Sequence, residues 1–135
     1  MNDKQFIEKL TAADLEDLIL TLYGNEDLYF DGDTDPHRLF QEGGTIKVAT
    51  DNDIEIYGTL RNAINRLGDR VYFVSLEDIQ RGLKNALDGN FKANGEEDLI
   101  AAYGAFTLFK SGEFDVSDAS VLWQIILFNE IVYTY

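Results

Sequence analysis

One histidine, His37, and no cysteine are available for chemistry in this chain of 135 residues. A Ser–His–acid relay would have to run through His37, and no serine sits in a Gly-x-Ser-x-Gly turn. A zinc centre of the usual kind needs several imidazole or thiolate ligands, which a single histidine cannot supply. Gly43-Gly44 and Gly82 lack the strand–loop–helix setting of a phosphate-cradling loop. Carboxylates are the abundant group, with 25 Asp and Glu. Carboxylate pairs alone can hydrolyse glycosides, but a chain this short leaves little room for a sugar-binding cleft. The sequence therefore predicts a protein that is not an enzyme and carries no cofactor.

The best metal-ligand pattern is Asp31-x-Asp33-x-Asp35-x6-Glu42, which matches positions 1, 3, 5 and 12 of a calcium loop. Position 6 of such a loop is a glycine that allows the sharp turn. Here it is Pro36, whose ring fixes φ near −65°. Asp35-Pro36 instead has the form of a helix cap followed by proline at the first helical position. The expectation is that Asp31, Asp33, Asp35 and Glu42 form no specific calcium site.

Acids interleaved with aromatics remain. From Thr11 to Asp35 the chain carries eight acids and no Lys or Arg. Asp14, Glu16 and Asp17 fall on a predicted helix. Glu26, Asp27, Asp31, Asp33 and Asp35 surround Leu28, Tyr29 and Phe30, and Tyr23 precedes them. Aromatic anchors ringed by charge suit a protein interface: rings supply buried area, and charges supply steering and selectivity. The predicted partner-binding residues are Asp14, Glu16, Asp17, Tyr23, Glu26, Asp27, Tyr29, Asp31, Asp33 and Asp35.

Charge defines the partner. The formal net charge is −14, of which residues 1–60 carry −10 and residues 61–135 carry −4. Direct contact with nucleic acid or an anionic membrane is opposed by Coulomb repulsion, and a basic protein surface is favoured. Carboxylates can pair with the Arg and Lys that otherwise hold phosphates. The function expected is an acidic inhibitor occupying the nucleic-acid-binding surface of a nuclease or phage-defence effector, encoded by a phage or other mobile element. A toxin-immunity protein has the same physics. The alternative from another class is a small assembly or cation-binding module whose charge serves solubility.

The elements that must position these residues follow from periodicity. Phe6, Ile7 and Leu10 suit a short first helix. Thr11 with Asp14 forms a capping box, and Leu15, Leu18, Ile19, Leu22 and Tyr23 make an amphipathic stripe that Gly24 ends. Leu20 lies off that stripe. A short helix is expected from Pro36 to Gln41. Thr45–Thr50 and Ile54–Tyr57 read as a hairpin, and Arg70–Val74 as another strand. Leu60, Ala63, Ile64 and Leu67 have helical spacing, stopped by Gly68. Ser75 with Asp78 opens a further helix, in which Gly82 implies a close approach by a neighbour.

The densest apolar sequence comes last. Leu99–Phe109 and Val121–Phe128 lack a polar face, which predicts a buried helical pair containing Leu99, Tyr103, Phe106, Leu122, Trp123, Ile126 and Leu127. Glu96-Glu97-Asp98 and Lys110 complement the dipole of the first of these helices, and Asp115 or Ser117 caps the second. Ile131–Tyr135 fits helix or strand equally. Two stretches resemble one another: Glu16-Asp17-Leu18-Ile19 before Tyr23-Gly24, and Glu97-Asp98-Leu99-Ile100 before Tyr103-Gly104. The predicted fold is α+β. It is one domain over residues 1–135, with five or six helices and a small, largely antiparallel sheet of three or four strands on the C-terminal pair. The first residues lack the apolar run of a signal peptide, and the absence of cysteine fits a reducing compartment, so a cytoplasmic location is expected.

Overall fold

The computed structural model describes residues 1–50 and 60–133. Helices α1 (Asp3–Glu8) and α2 (Ala12–Leu20) lead into strand β1 (Leu28–Phe30). A 3₁₀ turn, Pro36–Phe40, precedes β2 (Ile46–Thr50). Strands β3 (Asn62–Ile64) and β4 (Arg70–Val74) follow, then α3 (Leu76–Asp88), α4 (Glu96–Ser111) and α5 (Val116–Phe128).

Local chemistry explains where the helices start. At α2, α3 and α5 the cap side chains of Thr11, Ser75 and Asp115 accept from the N–H groups of Asp14, Asp78 and Asp118 at 3.2, 3.2 and 3.0 Å. The carboxylates of those three residues accept in return from the cap N–H groups at 2.9, 2.9 and 3.1 Å. Each box satisfies two backbone donors that a helix N-terminus otherwise leaves open. Asp35 caps the 3₁₀ turn by accepting from His37 N at 3.0 Å, with Pro36 at the first position.

The strands form one antiparallel sheet in the order β1-β2-β4-β3. Leu28, Thr50, Arg70 and Ile64 share one cross-strand row, and Tyr29, Ala49, Val71 and Ala63 the next. Alternation sends Leu28, Phe30, Ile46, Val48, Tyr72 and Val74 to the helical side. There Phe30 meets Trp123 edge-on at 5.6 Å between ring centroids, and Tyr72 meets Phe128 at 5.5 Å.

The C-terminal helices pack on each other and on the sheet. All ten residues from Ala119 to Phe128 of α5 are buried, since α3, α4 and the sheet enclose it. Gly82 is what lets α3 reach α5. A Cβ at that position would lie 2.4 Å from Ile126 Cγ1 and 2.7 Å from Ile126 Cα, so no other residue fits without moving a helix. Trp123 is fully buried, and its indole N–H donates to Leu18 O at 2.9 Å, tying α5 to α2. Gln124 is also buried. Its Oε1 accepts from the N–H groups of Val132 and Tyr133, and its Nε2 donates to Ser120.

Four expectations change. Leu60, Ala63, Ile64 and Leu67 do not form a helix. Asn62–Ile64 is strand β3, paired to β4, and Asn65–Asp69 is the hairpin turn, closed by Asn65 N to Asp69 O at 2.9 Å. Long-range ladder bonds override an i, i+3, i+4, i+7 spacing that arose by coincidence. Helix α2 stops at Leu20 rather than at Tyr23. Bonds from Leu22 N to Ile19 O and Tyr23 N to Leu20 O tighten the chain, which keeps Leu22 inside and turns Tyr23 out.

Helix α4 is not enclosed as α5 is. It buries Ala102, Ala105, Phe106 and Phe109 under α3, α5 and Phe6 of α1, while Leu99 and Tyr103 are 40% and 54% exposed. Residues 131–133 are neither helix nor strand, and Glu130 forms an isolated parallel bridge with Lys92. The expected strand at 54–57 lies outside the described residues. Strand β2 itself is central, paired to β1 on one side and to β4 on the other.

Candidate interaction surface

The ten residues expected to form one face separate into three groups. The first is open. Glu16 and Asp17 on α2 and Glu26 in the turn before β1 are exposed, and the same outward side carries Leu20 at 53% and Tyr23 at 56% exposure. Tyr23 is nevertheless supported. Its ring lies 5.6 Å from Phe30, which packs on buried Trp123. A half-exposed ring braced by the core loses little freedom on binding, which suits an anchor. Beside it, a shallow groove of about 280 Å³ runs between Gly24–Asp27 and Val116, Ser117 and Ser120 at the start of α5.

The second group is engaged locally. Asp14 closes the α2 capping box. Asp33 accepts from Asp35 N at 2.9 Å and from Arg38 Nη1 at 3.2 Å. Asp35 accepts from His37 N, and His37 Nδ1 stands 2.9 Å from the same oxygen. The backbone N–H groups first, then Arg38 and His37, hold the Asp33 and Asp35 carboxyls below the ordinary carboxylate pKa. Both are exposed and ionised, with much of their hydrogen-bonding capacity spent on their own loop. Glu42 is exposed beyond the 3₁₀ turn. Among the described residues, no three His or carboxylate side chains converge as metal ligands.

The third group lies on the outer face of the sheet. Tyr29 Oη donates to Asp69 Oδ2 and accepts from Asn65 Nδ2 at 2.9 Å, and Asn65 Nδ2 also reaches Asp31 Oδ2 at 3.2 Å. Tyr29 on β1 and Asp69, just before β4, stand on opposite sides of β2, so their hydrogen bond spans that strand. Burial, followed by the bond to Asp69, raises the Tyr29 hydroxyl pKa above its ordinary value. Tyr29 and Asp31 are half-buried, not the free anchor and free acid that the sequence implies. They border a cleft of about 410 Å³ with Ile64, Asn65, Arg66 and Leu67. Asp27 is likewise half-buried.

Sequence reasoning missed Asn65, Leu67 and Asp69, because they join this surface only through the hairpin of β3 and β4. The signal was present: Asn65, Gly68 and Asp69 are turn residues between two short β-rich runs. It also missed the open side of α4, where Ile100 is 65% exposed between Leu99 and Tyr103. Among the described residues, no helix is long and apolar enough to cross a membrane. Comparison with protein-family models, curated proteins and solved structures finds no match to this chain.

Proposed function

We propose that the protein is a non-enzymatic inhibitor that lays an acidic face on a basic, nucleic-acid-binding surface of another protein, such as a nuclease or a phage-defence effector. The reading rests on Leu20 and Tyr23, two large apolar side chains left more than half exposed beside Glu16, Asp17 and Glu26. The segment Thr11–Asp35 that carries them has eight acids and no Lys or Arg. The aromatic stack behind Tyr23 supports an anchor held ready for its partner, and the acids supply attraction over about a Debye length, roughly 8 Å at physiological ionic strength. The cytoplasm, its own or a host's, is the location that accompanies this role.

The test is affinity capture from cell lysate at low and at high salt, with the retained proteins identified. The captured partner is expected to be basic, to bind nucleic acid, to elute as salt rises, and to be lost by the variant Glu16→Lys/Asp17→Lys/Glu26→Lys. An acidic partner, or one retained equally by that variant, overturns the reading.

A further inference from the structure

A second surface lies on α4, a different helix from the one that carries the acidic face. The helix is 16 residues long, about 24 Å at 1.5 Å per residue. Glu96, Ile100, Tyr103 and Thr107 recur at i, i+4, i+7 and i+11, so they share one side of it, and all four are exposed. Leu99 borders this side. Gly104 lies beside Ile100 and Tyr103, and a Cβ added there would meet nothing within 4 Å, so the surface dips at its middle. An apolar ridge next to a glycine dent is a shape into which the side-chain ridge of another helix can settle.

Charge selects the occupant. Exposed Glu96 and Glu97 flank the apolar residues at one end, and exposed Glu113 lies just past the other. Lys110, the one base on α4, is held by Asp3 at 2.8 Å. A second copy would bring another −14 of charge. Antiparallel pairing of two α4 helices would also turn Glu96 and Glu97 of one copy toward Glu113 of the other, a like-charge contact that opposes association. A helix with apolar anchors on one side and Lys or Arg along its flanks meets both the ridge and the acids.

We infer that the exposed face of α4 is a docking site for a basic amphipathic helix of a partner protein. The inference stands apart from the acidic face of α2, and the two are tested separately. The experiment is a titration of isotope-labelled protein, followed by amide shifts, with two synthetic peptides of about 18 residues patterned as amphipathic helices. One is built from Leu and Lys, the other from Leu and Glu.

The Leu/Lys peptide is expected to shift amides across residues 96–107, and the Leu/Glu peptide is not. The double variant Ile100→Ser/Tyr103→Ser should weaken that binding by about tenfold or more. Glu96→Gln/Glu97→Gln should weaken it less. Glu16→Lys/Asp17→Lys/Glu26→Lys should leave the shifts on α4 in place, which separates failure of this site from failure of the acidic face. Four results would overturn the inference: no shifts on α4, shifts confined to residues 14–35, equal binding of the Leu/Glu peptide, or a protein dimer that Ile100→Ser/Tyr103→Ser dissolves.

Discussion

Glu-Asp-Leu-Ile occurs twice in this chain, as Glu16–Ile19 on α2 and as Glu97–Ile100 on α4. Tyr-Gly follows the first copy after three intervening residues and the second after two. In α2, Leu18 and Ile19 are buried, and the carbonyl of Leu18 accepts the Trp123 indole. In α4, Leu99 is 40% and Ile100 65% exposed. The residues agree in type, so the difference lies in their neighbours. Helix α2 rests Leu15, Leu18 and Ile19 on the core, whereas α4 uses Ala102, Ala105, Phe106 and Phe109 for the same purpose. Its Leu-Ile pair falls outside that stripe. Leu99 keeps a contact near Gly89, but Ile100 is 65% exposed, and an apolar side chain that open within its own chain is a feature of interfaces rather than of cores.

The contrast between enclosed and open apolar residues can be broken or sharpened by mutation. The largest effect is expected at Trp123. Replacement by Ala removes a fully buried ring and its bond to α2, and should cost about 3–5 kcal/mol in denaturant-induced unfolding. A smaller loss, about 1–3 kcal/mol, is expected for Gly82→Ala, because the methyl group must push α3 away from Ile126. A neutral outcome there would mean that the two helices do not meet as closely as described.

Tyr72 gives a third, smaller effect. The side chain is fully buried, and among the described residues its hydroxyl has no hydrogen-bond partner. Tyr72→Phe removes an unsatisfied polar group and should be neutral or stabilising by up to about 1 kcal/mol. Burial first of all raises the Tyr72 pKa from 10.0 to about 12. The unfolded chain therefore releases this proton before the folded one does. That contribution to stability is intact below pH 10.0 and is lost as pH rises through about 12. Unfolding curves in this window should show a shallower alkaline decline for Tyr72→Phe than for wild type. At the bottom of the scale, Ile100→Ser on the open side of α4 should change stability by no more than about 0.5 kcal/mol. A loss as large as that of Gly82→Ala would show that α4 is covered within this protein after all.

The features legible in the sequence were local ones. The boxes at Thr11/Asp14 and Ser75/Asp78 could be read because both partners lie three residues apart. The cap at Asp35-Pro36 and the close approach at Gly82 could be read because proline and glycine restrict the backbone by themselves. Strand β3 was hidden because its pairing with β4 is decided by ladder bonds, while Leu60, Ala63, Ile64 and Leu67 happen to repeat as a helix would. The site was less legible than the fold. Tyr29 meets Asp69 and Asn65 across 40 and 36 residues of chain, and no spacing rule reaches that far. The absence of a polar face on α4 implied burial on all sides, yet only packing partners can supply it, and those of α4 leave Ile100 and Tyr103 exposed.

The central claim is that Glu16, Asp17 and Glu26 steer a basic partner onto Tyr23. Association kinetics of the captured partner, measured by rapid mixing across a range of ionic strengths, test it most directly. The association rate is expected to fall steeply as salt rises, with a dissociation rate that changes little. The salt dependence should flatten in Glu16→Lys/Asp17→Lys/Glu26→Lys, whereas Tyr23→Ala should speed dissociation instead. An association rate indifferent to salt, or one that the triple reversal leaves unchanged, would mean that these acids do not steer the partner.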